Sequence, residues 1–383
     1  LYFDDLEIAN PLSSKSSVHK LSLFYFTVQN LGSILNADTS NIFLCIVAYR
    51  QDVEKYGFNE ILKPFVDDMI RLYNGVKITV KNGVSFMLRA TLINVLGDTL
   101  AIHELFGLST PSCDYFCRQC LITRSVFHDN HHIQVQYRDR RNYLQHTKDA
   151  LSEIPKVHYK GVKYDSILNK IPNFHVIDNW CFDPMHDLLE GIVKKELKLV
   201  LKHFVCSKVI TIEEINSKIN MFAYGYYERK NRPSPNFTQQ MLKGKGSLKQ
   251  KASQVWTLCR AFNFIFNELN MNNFEAYFQL IAHLNKILQI VFCRSLSRYA
   301  ICVLEEVIDA HNDLYQKLFG DNFAMINKHH HLHHYSESIR KKGPTGFMSC
   351  FRYESKHQDM KKQITAGINF INVPKSIVKR QLL

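Results

Sequence analysis

Short apolar or alternating runs, separated by turn residues, make up the first fifty residues of the chain. Three runs rich in aromatic and β-branched residues predict strands: Leu1–Ile8, Leu21–Val28 and Ile42–Tyr49. Asn, Pro and Ser residues between these runs supply turn signals. We therefore expect the chain to open with strands.

The next fifty residues combine a helical pattern with a hairpin pattern. Glu60–Tyr73 carries apolar residues at helical spacing, and an Asn-Gly pair closes it. Val76–Val80 and Val84–Leu96 flank a second Asn-Gly pair, which predicts a hairpin whose long second strand reaches Gly97-Asp98. The first hundred residues thus predict a mixed α/β sheet.

Beyond residue 120 the pattern changes twice. Residues 121–175 are polar and irregular. Five later segments have apolar spacing near 3.6 residues and predict helices: Met185–Phe204, Ile212–Tyr224, Gln254–Leu269, Phe274–Cys293 and Ser297–Leu318. We expect an α/β core in residues 1–120, a mainly helical insertion in residues 121–327, and a return of the core in residues 328–383.

The composition indicates a folded protein with a polyanionic partner. Of 383 residues, 46% are hydrophobic and 12% aromatic, which is enough to bury a sizeable core. Lys plus Arg number 48 and Asp plus Glu 35, so the formal charge is +13, which favours nucleic acid as a partner. No stretch reaches the ~20 apolar residues of a membrane span. Nothing at the N-terminus resembles a signal peptide. The chain has no initiator Met and opens directly on an apolar strand pattern, so we expect a fragment of a longer protein.

Carboxylates stand where predicted strands end and helices begin. Asp4 and Asp5 lie in the opening strand, Asp98 at the end of the long hairpin strand, and Glu354 on a predicted late helix. Carboxylates at the ends of neighbouring strands, with one from a helix, are the ligands that two Mg²⁺ or Mn²⁺ ions need for phosphoryl chemistry. Each one alone has a simpler interpretation as a helix cap or a turn residue.

The ten cysteines do not suggest a disulfide framework, because most lie singly in apolar runs, and a reducing, intracellular compartment fits them better. Cys117-x-x-Cys120 is the exception, because it lies in a polar segment; alone it could be a redox motif or chance.

A histidine run near the end of the chain could complete a zinc site with these cysteines. His330 and His334 lie at i, i+4 and would share one helical face, with His329 as the alternative ligand. Together with Cys117 and Cys120 they offer a Cys2His2 site, which would pin the end of the insertion to the core. The simpler interpretation of the run is a solvated surface.

Two basic segments are candidates for contact with DNA phosphates. Their cations are Arg138, Arg140, Arg141, Lys243, Lys245, Lys249 and Lys251. We expect them to surround the carboxylates and to form a groove for phosphates. The simpler alternative is a scattered surplus of charge.

Several short motifs occur in an order that spans nearly the whole chain. They are YFDDLEIANPL at residues 2–12, FMLRA at 86–90, LGD at 96–98, CRQC at 117–120, DPMHDLLEG at 183–191, and the histidine run followed by FRYESKH at 351–357. In this order they resemble CACTA (En/Spm-type) DDE transposases and their animal transposon-derived relatives. The layout is more distantly similar to Transib elements and the V(D)J recombinase catalytic core.

The resemblance implies an RNase H-like mixed-sheet catalytic core interrupted by a large, mostly helical insertion. It implies a transposase that hydrolyses phosphodiester bonds and transfers strands with two Mg²⁺ or Mn²⁺ ions, with one structural Zn²⁺. Asp4, Asp98 and Glu354 would form the catalytic triad. Asp5 is the alternative to Asp4, since adjacent strand residues point to opposite faces. The implied partner is DNA, as transposon ends and target, bound in the nucleus by a homodimer or higher oligomer.

The motif at residues 183–191 has two interpretations. Asp183 as an N-cap, His186 and Glu190 would share a helical face, and could line the active site or bind the DNA backbone. They could equally form a capped helix packed on the core. For the whole chain, the alternative function is a catalytically inactive, transposon-derived DNA-binding or scaffold protein. A zinc-dependent hydrolase is not favoured, because four protein ligands leave zinc no open position.

Overall fold

The computed structural model describes residues 1–7, 20–129, 132, 134–152, 158–244, 246–270, 274–366 and 372–382. Contacts divide the chain into two units. Unit 1 comprises Leu1–Arg124, Val135–Cys181 and Cys350–Leu383. Unit 2 comprises Ser125–Gln134 and Phe182–Ser349. The division differs from the predicted domains, because residues 135–181 belong to unit 1 and the histidine run belongs to unit 2.

The fold class is mixed α/β, with a predominance of helix. The strands are β1 (Tyr2–Glu7), β2 (Lys20–Phe26), β3 (Phe43–Tyr49), β4 (Val76–Thr79) and β5 (Ser85–Leu88). The α-helices are α1 (Gly32–Ala37), α2 (Arg50–Tyr56), α3 (Phe58–Asn74), α4 (Thr99–Leu105), α5 (Arg124–Asp129), α6 (Arg140–Ser152), α7 (Lys194–Cys206), α8 (Ile212–Met221), α9 (Gln239–Lys243), α10 (Ala252–Ile265), α11 (Asn267–Asn270), α12 (Glu275–Val291), α13 (Arg298–Phe319), α14 (Asn327–Leu332), α15 (Tyr335–Lys342), α16 (Phe351–Ala366) and α17 (Val373–Leu382). A π-helix spans Met185–Val193, and short 3-10 helices span Gln29–Leu31, Thr39–Asn41, Ile167–Lys170, Tyr226–Asn231 and Thr345–Met348.

The strands of unit 1 that the structure describes form two small antiparallel sheets. In the first, β2 lies between β1 and β3. Because helices cover the sheet, the middle strand is buried almost along its whole length, which explains its continuous apolar run. Phe3 of β1 stacks on Phe24 of β2 at 4.6 Å, and the ring of Phe58 at the start of α3 meets Phe3 edge-on at 5.2 Å. The three predicted strands and the helix at residues 58–74 are confirmed.

The hairpin is confirmed, but its predicted long second strand is wrong. β5 ends at Leu88, and residues 89–94 have no regular secondary structure. The two strands pair with each other as a separate sheet. Beyond them, two single parallel bridges, Tyr2–Leu96 and Val95–Trp180, continue the first sheet on the free side of β1. The RNase H-like core that the resemblance implies is not confirmed by these features.

The polar stretch at residues 121–175 is also less irregular than predicted. It contains α6, whose buried side chains Tyr143, His146, Thr147 and Ala150 lie on one face at helical spacing. Three of these four side chains are polar or amphipathic, so a pattern of apolar residues does not show the helix.

Unit 2 is helical in the part of the chain that the structure describes. α10 packs on α12 and on the π-helix, which α7 also contacts. The rings of Phe204, Phe262 and Phe278 meet in its core, with centroids 5.9 to 6.4 Å apart. The five predicted helical segments of this region are confirmed, with the first divided into the π-helix and α7 and the third into α10 and α11.

Candidate functional site

Two of the predicted catalytic carboxylates contact one tyrosine hydroxyl in unit 1. Tyr2 Oη lies 3.0 Å from Glu354 Oε1 and 3.3 Å from Asp4 Oδ2. Tyr2 is held by a stack on Tyr353, with ring centroids 4.5 Å apart. Burial, followed by the charge of Asp4, raises the pKa of Tyr2 well above its usual value, so the phenol stays protonated. Because the hydroxyl has one proton, it donates to one carboxylate at a time.

Asp5 lies on the other face of β1. Its carboxylate accepts a hydrogen bond from Ser22 Oγ at 2.6 Å and forms ion pairs with Lys20 at 3.1 Å and Arg50 at 3.2 Å. Adjacent residues in a strand point to opposite faces. The structure therefore places Asp4, and not Asp5, beside Glu354.

Asp98 stands at the end of the segment that pairs with β1. Tyr2 bridges Leu96 in parallel, so Asp4 and Asp98 each follow the bridge by two residues. Gly97 allows this close approach, because a Cβ there would lie 3.1 Å from the carbonyl oxygen of Phe3. Asp98 also caps α4, since its Oδ1 accepts the backbone N–H of Ala101 at 2.7 Å.

The three carboxylates do not form one tight group. Among the residues that the structure describes, sets of three or more possible ligands with all their ligand atoms within 4.8 Å do not include Asp4, Asp98 and Glu354. The structure thus pairs Asp4 with Glu354 through Tyr2 and sets Asp98 in register on the neighbouring segment.

The cysteine pair of unit 1 is buried in a loop with thiolate-stabilising amides. Cys117 and Cys120 are at most 1% exposed, and their sulfur atoms lie within 4.8 Å of each other. The backbone N–H of Gln119 donates to Cys117 Sγ at 3.3 Å, and that of Ile122 bonds the Cys120 sulfur. Burial, followed by the neighbouring Cys117, raises the pKa of Cys120, so two thiolates here require a cation.

Cys113 does not share this arrangement. Its thiol donates to the carbonyl oxygen of Tyr115 at 3.3 Å, and the side chain is half-buried. Burial raises the pKa of Cys113. Cys113 is not among the grouped ligands, which agrees with the prediction that Cys117 and Cys120 are the ligand pair.

The histidine pair of unit 2 is buried as well. His330 and His334 are at most 2% exposed, and their Nε2 atoms lie 3.0 Å apart. Two nitrogens bound to one tetrahedral zinc at ~2.0–2.1 Å are about 3.3 Å apart, so the spacing fits a shared ion. The cysteine and histidine pairs thus supply two thiolates and two imidazoles, and all four side chains are buried. This ligand set could bind a metal.

The other histidines of the run have protein partners of their own. His331 Nδ1 lies 3.2 Å from Asp187 Oδ1, and His333 Nε2 lies 3.0 Å from the side-chain nitrogen of Asn312. His329 Nε2 lies 3.1 Å from Glu196 Oε1, and its Nδ1 accepts the backbone N–H of Ile326. These partners fix His329 in a different site, so it is not the better alternative to His330 or His334.

Glu196 is a buried carboxylate that the sequence analysis did not identify. Its second oxygen lies 3.0 Å from His311 Nε2, and Glu196, His311 and His329 are fully buried. Burial opposes the charge of Glu196, but His311 and His329 outweigh it and lower the pKa of Glu196 to about 2. For His311, burial is outweighed by Glu196, and its pKa is raised. Burial lowers the pKa of His329, which stays neutral and donates through Nε2.

In the motif at residues 183–191, Asp183 caps the helix and Glu190 lies at the surface. Asp183 is buried and accepts the backbone N–H groups of Met185 and His186, while His186 Nδ1 lies 2.5 Å from Asp183 Oδ2. Glu190 is exposed. Asp183 is therefore the N-cap as predicted, whereas the shared role of the three residues stays a prediction.

The predicted DNA-binding cations fall into several environments. Arg138 is buried, and its Nε donates to the carbonyl oxygen of Cys117 at 3.0 Å, so it supports the cysteine loop and cannot face a phosphate. Arg140 is exposed and pairs with Asp178 at 2.6 Å. The exposed cations also include Arg141, Lys243, Lys249 and Lys251, and Lys245 lies outside the described residues.

No protein-family model matches this chain, and no curated protein is significantly similar to it. Over the residues that the structure describes, the helices lack the length and apolar character needed to cross a bilayer.

Proposed function

We propose that this chain is the catalytic domain of a DDE-type DNA transposase, or a homologue derived from one, that cuts phosphodiester bonds and transfers strands. One observation carries the proposal: Asp4 and Glu354, 350 positions apart in the chain, contact the same buried hydroxyl. The register of Asp98 beside β1, and the mixed parallel and antiparallel pairing around that strand, support it.

The donor set fits hard divalent cations. Asp4, Asp98 and Glu354 are half-buried carboxylates, and Mg²⁺ and Mn²⁺ prefer oxygen ligands. Two such ions, when bound, supply charge for activating the attacking oxygen and for stabilising the leaving one. Tyr2 orients the carboxylates of Asp4 and Glu354, and the cap of α4 fixes Asp98. In-line positioning by these side chains, without a covalent enzyme intermediate, is then sufficient for the reaction.

Zinc is the metal that we propose for Cys117, Cys120, His330 and His334. Tetrahedral Cys2His2 coordination leaves no open position, so this ion would be structural. The amide donors to both sulfur atoms and the spacing of the two Nε2 atoms support the assignment. The resemblance adds DNA as the partner, assembly of two or more copies on it, and a nuclear location.

The test is metal-dependent cleavage of DNA that carries the ends of the protein's own element. We expect nicking in Mg²⁺ or Mn²⁺ that stops in EDTA. Asp4→Asn should reduce the rate by at least about a hundredfold, as losing one transition-state stabilising group does. Asp5→Asn is the matched control, because it makes the same change one residue away on the opposite face, and it should keep near wild-type cleavage.

One observation favours the second candidate, an inactive DNA-binding scaffold. The three carboxylates do not lie in one tight group in the described part of the chain. If wild type binds DNA but does not cut it in the presence of Mg²⁺ or of Mn²⁺, the scaffold proposal is correct. Loss of cleavage in Asp5→Asn with retention in Asp4→Asn would reverse the assignment of the first aspartate.

A further inference from the structure

Unit 2 exposes two adjacent tyrosine rings on the 3-10 helix Tyr226–Asn231. Tyr226 is 73% and Tyr227 90% exposed. Their centroids lie 5.5 Å apart, and the planes are inclined at 85°, so the rings offer faces in two directions. Two neighbouring aromatic side chains in water leave apolar surface available to a partner.

One cation lies on the first ring, a second cation follows it in the chain, and the acid that separates them from the tyrosines bonds to side chains of α10. The Arg229 guanidinium lies 5.2 Å from the centroid of Tyr226, and Lys230 is exposed beside it. Glu228 accepts a hydrogen bond from Thr257 Oγ1 at 2.9 Å and pairs with Arg260 on α10. The outer side of the segment is therefore positive as well as aromatic.

This segment adjoins the predicted basic loop. The Gln254 side-chain amide donates to the carbonyl oxygen of Arg232 at 3.0 Å, and its Oε1 accepts the backbone N–H of Lys251 at 2.9 Å. Lys251 is exposed. The Arg232 guanidinium itself donates to the carbonyl oxygen of Asn220 at 3.0 Å and is not counted among the available cations. We call the remaining set the tyrosine–lysine surface: Tyr226, Tyr227, Arg229, Lys230 and Lys251.

We infer that the tyrosine–lysine surface binds single-stranded DNA, with bases stacked on Tyr226 and Tyr227 and phosphates paired with the cations. Charge complementarity selects a polyanion. The rings select an unpaired strand, because base faces are covered in a duplex and open in a single strand. The inference rests on the proposed function in taking DNA as the partner, but its residues belong to unit 2 and the carboxylates belong to unit 1.

The experiment measures the affinity of the whole chain for a labelled oligo-dT strand and for a duplex of equal length, by fluorescence anisotropy. The double variant Tyr226→Ala/Tyr227→Ala should bind the single strand at least about thirtyfold more weakly, and the duplex within about twofold of wild type. The Tyr226→Phe/Tyr227→Phe variant keeps both rings and should bind like wild type. Lys230→Ala/Lys251→Ala should weaken both complexes and reduce the salt dependence.

Tyr56→Ala is the matched control. Tyr56 of unit 1 is 55% exposed and has the Lys55 ammonium 4.8 Å from its ring centroid, so it combines an exposed ring with a cation without belonging to the tyrosine–lysine surface. We expect its single-strand affinity to equal that of wild type. Each variant is also compared by melting temperature, which should not change because the substituted rings are exposed.

The inference is overturned if Tyr226→Ala/Tyr227→Ala binds the single strand within about twofold of wild type, or if this variant loses affinity for the single strand and the duplex to the same extent. It is also overturned if the double Phe variant loses as much as the double Ala variant. Asp4→Asn separates it from the proposed function. Loss of cleavage with unchanged single-strand binding supports both, whereas a wild type that never cuts but shows the tyrosine effect contradicts only the catalytic proposal.

Discussion

Glu196 shows how one buried side chain can determine the charge state of its neighbours. Its two oxygens meet His311 and His329, and Asn312 and Ile326 satisfy the other nitrogens of these rings. Removing one partner of a buried ionic pair leaves the other charge uncompensated. The Glu196 carboxylate is therefore needed to compensate the buried charge of His311 inside unit 2.

We predict that Glu196→Gln lowers the free energy of unfolding by roughly 3–5 kcal/mol at pH 6. The control is Glu305→Gln, because Glu305 pairs with Arg340 at the surface of the same unit and its loss should change the stability far less. Urea unfolding of wild type and both variants gives the comparison. Equal losses in the two variants would show that the buried network adds nothing beyond an ordinary surface pair.

The pH dependence of the Glu196 variant follows from the shifted pKa values. The pKa of Glu196 falls from 4.5 to about 2, so its contribution is present above pH 4.5 and is lost as the pH drops toward 2. The pKa of His311 is raised above 6.5, so its contribution is complete below pH 6.5 and is lost as the pH rises through the folded value. The difference in the free energy of unfolding between wild type and Glu196→Gln should thus be largest between about pH 4.5 and 6.5. A gap that is constant from pH 3 to 9 contradicts the assignment.

Single positions were predictable where local geometry alone decides them. The i, i+4 spacing identified His330 and His334, which the structure pairs. Alternation along β1 showed that Asp4 and Asp5 diverge, but not which one meets Glu354, since Arg50 and Tyr2 decide that through contacts with distant parts of the chain. Glu196 was not identified for the same reason, because its partner His329 lies 133 positions away.

At the scale of elements, α16 packs on the sheet of unit 1 and thereby positions its own residue Glu354. Tyr353, His357, Met360 and Ile364 form its buried face. His357 Nδ1 lies 3.5 Å from Tyr25 Oη, and its Nε2 lies 3.4 Å from the carbonyl oxygen of Asp5. A charged imidazole on this face would meet an apolar interior, and burial lowers the pKa of His357 to about 4.

We predict that protonation of His357 weakens unit 1 in mild acid. Between pH 6.5 and 4 the unfolded chain binds a proton that the folded state excludes, so stability falls as the pH drops, by up to about 1.4 kcal/mol per pH unit. His357→Gln should show a shallower fall over that range. Chemical unfolding at pH 7, 6, 5 and 4 measures it, and parallel curves for wild type and variant would contradict the prediction.

Elements were predictable where apolar residues set their period. The helices of unit 2 and the strands β1 to β3 have that character, and the sequence placed them. The prediction failed where pairing or polar contacts decide: β5 ends early because residues 89–94 have no strand partner among the described residues, and α6 buries polar side chains. The π-helix at Met185–Val193 has no separate sequence period, so it was predicted as ordinary helix.

At the scale of the whole molecule, the chain is divided in a way that local patterns do not show. Residues 135–181 return to unit 1 through single long-range pairings such as Leu108–Val162 and Cys120–Tyr137. Single pairings of this kind leave no periodic pattern in the sequence, so this polar stretch has the sequence character of a linker. The RNase H-like core interrupted by an insertion stays a prediction of the resemblance. The positions at which the chain leaves and re-enters unit 1 depend on contacts that only the folded chain makes.

The zinc proposal gives the whole-molecule prediction. The ligands at residues 117–120 and those at residues 330–334 are separated by roughly two hundred residues. One ion that binds both pairs would hold this long loop closed in the folded state. Without the ion, closing the loop costs conformational entropy. Wild type should carry one zinc per chain, and its removal by a strong chelator should lower stability by about 4 kcal/mol where the ion stood at a thousandfold of its Kd. Cys117→Ser/Cys120→Ser should lose the ion and lower the melting temperature, whereas Cys113→Ser and His333→Gln should keep it, because Cys113 donates to Tyr115 and His333 contacts Asn312. Elemental analysis measures the zinc content of wild type and of each variant, and thermal melts compare their stability. If wild type carries no stoichiometric zinc and melts at the same temperature as the double Ser variant, the buried thiols and imidazoles are packing residues.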